Sequence, residues 1–337
     1  MRIAVDAMGG DFGPKTTVPA ALAAAGDFGV DILLVGLESA IRRETEHHPS
    51  QASRVTIVDA PEAIGMGEGL LSFRKKKASS IRVAAQLVRD GAADAFVSMG
   101  NTGAVVYISR DVLGSLKGVD RPALALLVPG VEGQTLLLDA GANANCQPHN
   151  LVQFAFMGKI FMEAVAGVAD PRIGLMSIGE EKGKGNDLVK EAFDRLQTAP
   201  LRFIGNVEGK DLFSGIADVV VSDGFTGNVA LKTSEGVVQS VMSMARHEIT
   251  KDIFAKLGYL LMKRHLKKLY KKIDYSEYGG AQLLGVNGVC IIGHGRSNPT
   301  AVRNAIGLAR QFVATHVQEK IQAEILRYEC AMKGAAA

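Results

Sequence analysis

Residues 93–105 read ADAFVSMGNTGAV and residues 217–229 read ADVVVSDGFTGNV, so one pattern recurs 124 residues apart. Ala, Asp, Val, Ser, Gly, Thr, Gly and Val occupy matching places in both copies. In the second copy Val219, Val220 and Val221 form a β-branched run, which predicts a strand buried on both faces. A helical pattern follows, with apolar Ala230, Val237, Val238, Val241, Met242 and Ala245 at spacings of three and four. A chain that twice passes from buried strand through a glycine turn into a helix must layer helices on a sheet.

The turn itself invites an anion. Gly224 and Gly227 are expected to take positive φ and to let the backbone approach a ligand. Thr226 or Asn228 is expected to cap the helix with a side-chain oxygen. Free N–H groups and the positive end of the helix dipole then converge on one spot. Ser222, Asp223, Gly224, Thr226 and Gly227 are therefore candidate phosphate contacts, and the first copy adds Asn101, Thr102 and Gly103. Two readings remain open. The copies face each other across one cleft at the carboxyl ends of a parallel sheet, or both merely solve the same turn geometry.

The alternation continues along the chain. Strands are expected at 3–5, 31–35, 54–58, 173–178, 201–204 and 289–292, with helices between them. Runs at 123–128 and 134–138, joined by Pro-Gly-Val-Glu-Gly, predict a hairpin and hence a mixed sheet. The fold expected is a three-layer α/β/α, doubly wound mixed sheet forming a single domain over 1–337. A basic amphipathic helical segment is expected to protrude at about 245–275. His47 and His48, next to Pro49, read as exposed. The last strand ends in Gly-His-Gly-Arg-Ser-Asn, where His294 is a candidate general acid or base or a structural hydrogen-bonding group. The loop 179–186 only loosely resembles a nucleotide-binding P-loop: its glycine spacing is one short and no Ser or Thr follows the lysine. Lys184 in that loop either holds a cation over a bound anion or is simply solvated.

Net charge is only +3, which excludes a nucleic-acid binder on electrostatic grounds. Three cysteines lie far apart without a CxxC pair, so neither a disulfide framework nor a zinc site is indicated, and a reducing cytoplasm is expected. No metal or cofactor is called for. No apolar run is long enough to cross a bilayer. Charge is instead concentrated locally. Residues 251–272 carry eight bases against Asp252, including Lys256, Lys263, Arg264, Lys267 and Lys268, beside Leu257, Leu260 and Leu261. Such a stripe suits an anionic membrane surface or an acidic protein, or is an ordinary basic face. Arg74, Lys75, Lys76 and Lys77 form a second run before Ser79-Ser80 and a predicted helix, and are either a solvated face or a docking place for an acidic partner or phosphate. Arg82, one turn into that helix, is a further candidate for an acidic partner or phosphate.

Assembled in order, DAMGGD (6–11), SSIRVA (79–84), GNTGA (100–104), RPA (121–123), DAGAN (139–143), GNVEG (205–209), SDGFTGN (222–228), YGGAQLLG (278–285) and HGRSN (294–298) resemble the bacterial phosphate acyltransferases of phospholipid synthesis. The resemblance runs nearly end to end, with Met99 and Ser222 as small departures. It implies transfer of a long-chain acyl group from acyl carrier protein to inorganic phosphate. It also implies a homodimer, a fold akin to phosphotransacetylases and isopropylmalate-type dehydrogenases, and peripheral association with the inner membrane, where a downstream glycerol-3-phosphate acyltransferase would be a partner. Lys184 and Asn228 are the catalytic residues it points to.

The residues suit that chemistry. A thioester is activated enough for phosphate to attack it directly once held in line, with Lys184 and the Gly224–Asn228 stretch gripping the anion and the Asn228 amide stabilising the oxyanion. No GxSxG elbow is present for a covalent serine, and nothing adjacent in sequence activates Cys146. Two other classes compete: a nicotinamide-dependent dehydrogenase, disfavoured because no GxGxxG follows the first strand, and a non-catalytic membrane or carrier-protein adaptor.

Overall fold

The computed structural model describes residues 1–47, 53–131, 133–273 and 279–335. His48, Pro49 and Tyr278 lie outside the described residues, as do the side chains of Ile253, of 267–273 (Lys267 and Lys268 among them) and of 333–335. The strands are β1 (Arg2–Asp6), β2 (Asp31–Gly36), β3 (Val55–Asp59), β4 (Ala95–Ser98), β5 (Ala123–Pro129) and β6 (Gln134–Leu138). They continue with β7 (Ile173–Met176), β8 (Phe203–Val207), β9 (Val219–Val221), β10 (Ala281–Leu284) and β11 (Val289–Ile292). All join one sheet in the order β3-β2-β1-β4-β11-β10-β5-β6-β9-β7-β8. β5 and β6 form the expected hairpin.

The sheet has two halves of opposite direction. β1 to β4 and β11 are mutually parallel, as are β6 to β9. β10 and β5 each pair antiparallel with both neighbours, so the direction reverses between the halves. One row crosses the seam as Val97, Ile291, Gln282, Ala125, Leu138 and Val221. One residue further along their own strands stand Ser98, Asp139 and Ser222. The tips of both halves therefore start from the same level and project to opposite sides of it.

One face is covered by α1 (Pro14–Phe28), α2 (Glu38–Thr45), α6 (Pro148–Phe161), α7 (Asp187–Thr198), α10 (Pro299–Thr315) and α11 (Val317–Ala335). The other carries α3 (Leu70–Lys75), α4 (Ser80–Arg89), α5 (Thr102–Leu113) and the start of α8 (Gly224–Lys251). This is the three-layer arrangement expected, because strands apolar on both faces need cover on both.

Several local expectations change. α8 begins at Gly224 and is capped by Asp223, whose carboxylate accepts from Thr226 N at 2.9 Å and Thr226 Oγ1 at 2.7 Å. Thr226 and Asn228 are thus inside the first turns rather than caps. Gly224 and Gly227 are helical, and their lack of a side chain serves close packing instead of positive φ. A Cβ on Gly227 would lie 2.0 Å from the Asp139 carbonyl oxygen. The turn into α9 (Ile253–Ile273) falls at the extended Asp252, while Gly258 lies inside α9. His316, left-handed at φ 52°, separates α10 from α11. Among the described residues no helix is long and apolar enough to cross a membrane.

Candidate active site

The tip of β6 is organised by the buried Asp139. Its Oδ1 accepts from Leu124 N at 3.0 Å, Gly141 N at 2.9 Å and Ala142 N at 2.8 Å. Its Oδ2 accepts from the backbone and side-chain nitrogens of Asn143, both at 2.8 Å. Burial pushes the carboxyl above its ordinary value, opposed by these donors. Asn143 O accepts from Gly224 N at 2.8 Å, and Ser222 Oγ donates to Asp139 O at 3.3 Å. The N-terminus of α8 is thereby locked onto the β6 loop.

This clamp uses up groups that the sequence offered to phosphate. Ser222, Asp223, Gly224 and Gly227 are buried. Gly227 N donates to Asp223 O at 2.9 Å, and Thr226 spends both its amide and its hydroxyl on Asp223. Asn228 remains exposed beside Gly141, where a Cβ would stand 3.5 Å from the Asn228 side chain. Lys184 is exposed in the loop after β7, the strand next to β9, and its stem passes over Gly179. Asn206 Nδ2 donates to Glu181 O at 3.1 Å and pins that loop from the tip of β8. Asn206 and Asn143 were not singled out as site residues from sequence; asparagines beside strand-end glycines were the available signal.

Cys146 lies at the same end, half buried, with Sγ 3.6 Å from Asn143 O. Burial, then the charge of Asp139, pushes its thiol up to about 11, which disfavours the thiolate form that a nucleophile needs. Arg121 donates to Asn145 O at 2.9 Å and brings a cation to this end.

The first copy of the repeat sits across the seam. Four strands separate β4 from β9, and the two run in opposite directions. The copies are therefore not tips of one parallel sheet, because the intervening hairpin reverses the chain. Ser98 Oγ donates to the buried Asp6 at 2.6 Å and accepts from Gly100 N at 3.0 Å. Asn101 caps α5 through Ala104 N at 3.1 Å, and its amide donates to Met66 O at 2.7 Å. Thr102 and Gly103 form the first turn of that helix. Arg82 is buried with its guanidinium 2.6 Å from Asp111, so it is committed internally.

α8 joins the two ends. Ala230 and Leu231 pack on the sheet, and Lys232 stands one turn beyond Asn228 on the same helix face. Lys232 and Glu235 both act on His294 electrostatically. His294 is half buried, and its Nδ1 accepts from Arg296 N at 3.1 Å. Burial, then the Lys232 charge, holds its pKa below the ordinary value. The candidate residues thus lie around the first three turns of α8, with Asn228 at its start, Lys184 on the loop after the adjacent β7, and His294 within electrostatic reach of Lys232 and Glu235. Among the described residues no cluster of three or more His, Cys, Asp or Glu could hold a metal ion.

The fold is that of the phosphotransacetylases. A phosphotransacetylase from Streptococcus pyogenes superposes with a TM-score of 0.61 at 19% identity, covering 93% of this chain and 94% of that one. A branched-chain phosphotransacylase from Enterococcus faecalis gives 0.57 at 15% identity, covering 93% and 100%. Sequence narrows the class. Residues 1–320 match the family described as fatty acid synthesis protein, and the chain belongs to that family. It is 50% identical over 327 residues to the phosphate acyltransferase of Heliobacterium modesticaldum, covering 96% of this chain and 98% of that protein. It is 47% identical over 333 residues to that of Geobacter sulfurreducens, covering 97% and 96%.

Proposed function

We propose that this chain is an acyltransferase that moves a long-chain fatty acyl group from acyl carrier protein to inorganic phosphate. The observation that carries the reading is near-half identity, over almost the whole length, to proteins named phosphate acyltransferase. A phosphate oxygen attacks the thioester carbon, the C–S bond breaks, and the carrier leaves as thiolate and takes up a proton. The products are acyl phosphate, which feeds phosphatidic acid synthesis, and the free thiol.

Lys184 offsets the phosphate charge, and the Asn228 amide donates to the oxyanion that develops on the carbonyl. The exposure of both side chains at neighbouring strand tips supports these roles. Ser222, Asp223, Gly224, Thr226 and Gly227 shape the phosphate end by fixing the first turns of α8. Asn101, Thr102 and Gly103 shape the tip of the first copy. His294, its pKa held below the ordinary value by burial and then by the Lys232 charge, is the candidate general acid or base.

The rest of the reading concerns location. Exposed Leu257, Leu260 and Leu261, with Lys256, Lys263 and Arg264, suit a cytoplasmic protein that settles on the anionic inner membrane near the next acyltransferase. Exposed Val237, Val241 and Met244 on α8 suit a homodimer contact. The decisive experiment mixes palmitoyl acyl carrier protein with phosphate. Wild type should release acyl phosphate, and Lys184→Ala should abolish it with unchanged melting. A chain that binds the carrier but consumes no phosphate would be an adaptor instead.

A further inference from the structure

The segment between β3 and α4 is not absorbed by the site chemistry. It runs as Gly65-Met66-Gly67-Glu68-Gly69 into the short helix α3 and crosses the strand tips of the first half. Three interactions hold it there. The Asn101 amide donates to Met66 O at 2.7 Å and to Glu68 O at 3.3 Å. Lys76 Nζ lies 2.7 Å from Glu68 Oε1 and 2.7 Å from Ala63 O. Beneath α3, the buried Arg82 donates to Phe73 O at 3.3 Å. The segment is therefore a fixed rim rather than a loose loop.

What the rim presents is apolar. Met66 is 39% exposed, Leu70 49% and Leu71 72%. Met66 covers Gly295, which also accepts from Asp11 N at 2.8 Å, so the 56% exposed Phe12 belongs to the same mouth. Bases border it. Among the described residues Arg74, Lys75 and Lys77 have no carboxylate within ion-pair distance. The Arg74 guanidinium is held 5.9 Å over the Tyr107 ring and donates to its hydroxyl at 3.2 Å. Lys76, by contrast, is neutralised by Glu68 and leaves the set of docking residues suggested by sequence. The mouth lies beside Asn101, which donates to Met66 O at 2.7 Å, and beside Gly295, the residue after His294. From β11 to β9 is four strand spacings, or about 19 Å across the sheet, so the rim lies lateral to the strand tip that carries Asn228.

We propose that Phe12, Met66, Leu70 and Leu71, flanked by Arg74 and Lys75, are the docking surface for the acidic carrier protein that delivers the acyl group. This rests on the acyltransfer reading above and adds the place where the protein part of the substrate sits. The charge argument favours an acidic protein over lipid, because the bases are few and two of the apolar side chains lie on glycine-rich backbone rather than along one helix face. The leucines supply a dry centre and the bases steer the approach.

The test uses the full chain with two thioesters: palmitoyl acyl carrier protein, and palmitoyl-CoA, which lacks the protein part. Leu70→Glu with Leu71→Glu, and separately Arg74→Glu with Lys75→Glu, should raise KM for the carrier substrate about tenfold with kcat unchanged. KM for palmitoyl-CoA should stay within about twofold of wild type, since the lost contacts are to protein alone. An unchanged carrier KM would overturn the proposal, and so would equal rises for both thioesters. Loss of binding to phosphatidylglycerol vesicles with carrier KM intact would make the rim a lipid surface and also overturn it. Direct titration with acyl carrier protein separates failure of docking from failure of the enzymatic reading. Wild type binding the carrier without forming acyl phosphate, with both variants weakened, would leave the docking surface standing alone.

Discussion

Gly227→Ala and Gly236→Ala lie nine residues apart in α8, yet the structure requires opposite signs from them. In a helix interior alanine is better than glycine by about 1 kcal/mol, because glycine loses more backbone freedom on folding. Gly236 has nothing within 4 Å of where a Cβ would stand, so Gly236→Ala should stabilise by about 0.5–1 kcal/mol. At Gly227 the new carbon would meet Asp139 O at 2.0 Å and Ser222 Oγ at 2.7 Å. The serine can rotate, but the carbonyl cannot, since its loop is held by the five donors on the Asp139 carboxylate. The helix must move outward by roughly 1 Å to restore van der Waals contact. Overpacking of this kind costs about 3 kcal/mol, which outweighs the propensity gain and leaves a net loss of about 2 kcal/mol. Urea unfolding at neutral pH reads both variants against wild type. Because Asn228 is the next residue, Gly227→Ala should also lower kcat for acyl-phosphate formation. A Gly227→Ala protein as stable as Gly236→Ala would mean that α8 does not press on the β6 loop, and the description of the site would fall with it.

Other outcomes follow from single features. Cys146, pushed up to about 11, and the buried Cys290, pushed up to about 12, should resist iodoacetamide at pH 8, while exposed Cys330 should react at once; mass spectrometry of the tryptic peptides would refute this if Cys146 labelled first. Lys76, by hydrogen bonding, holds the Glu68 carboxyl down at about 2. The charged pair is therefore present above the ordinary carboxylate value and is lost as pH falls through the folded one, and Lys76→Met should return Glu68 to the ordinary range in an NMR titration. Leu257→Glu with Leu261→Glu should release the protein from anionic liposomes and spare turnover of soluble substrate; loss of both together would tie α9 to the active site instead.

Fold class was readable because buried parallel strands leave continuous apolar runs and their helices carry a clean 3.6-residue stripe. The β5–β6 hairpin was readable from its Pro-Gly and Glu-Gly turn. The reversal of strand direction across the seam was not, since nothing within 281–284 says which neighbour β10 will pair with. The helix start at Gly224 was misjudged for a definite reason. Glycine signals a turn by its backbone freedom, but here it answers a steric demand from Asp139 and Asn143, more than 80 residues earlier. A linear reading likewise missed that Arg82 pairs with Asp111, 29 residues away, and that the nearby Glu68, eight residues before Lys76, takes that lysine.

The repeat acquires a different meaning once its positions are sorted by what they touch. Ser98 bonds Asp6 at the end of β1, and Ser222 bonds Asp139 at the end of β6, so each half builds a serine–aspartate clamp between adjacent parallel strands. Gly100, Gly224 and Gly227 then let a helix close onto that clamp, whereas Gly103 is exposed. Ser98 and Gly100 in one copy and Ser222, Gly224 and Gly227 in the other are thus recurring positions spent on fixing a helix to a strand tip. Divergence falls elsewhere: Met99 and Ala104 in the first copy are buried, whereas their counterparts in the second are the capping Asp223 and the exposed Asn228. The proposed oxyanion role of Asn228 therefore falls at a position where the two copies differ. If that assignment is right, Asn228→Ala, which gives the second copy the first copy's residue, should keep the clamp and the melting temperature intact. It should remove about 3 kcal/mol of transition-state stabilisation, roughly a hundredfold in kcat. A variant that unfolds would instead make Asn228 part of the scaffold.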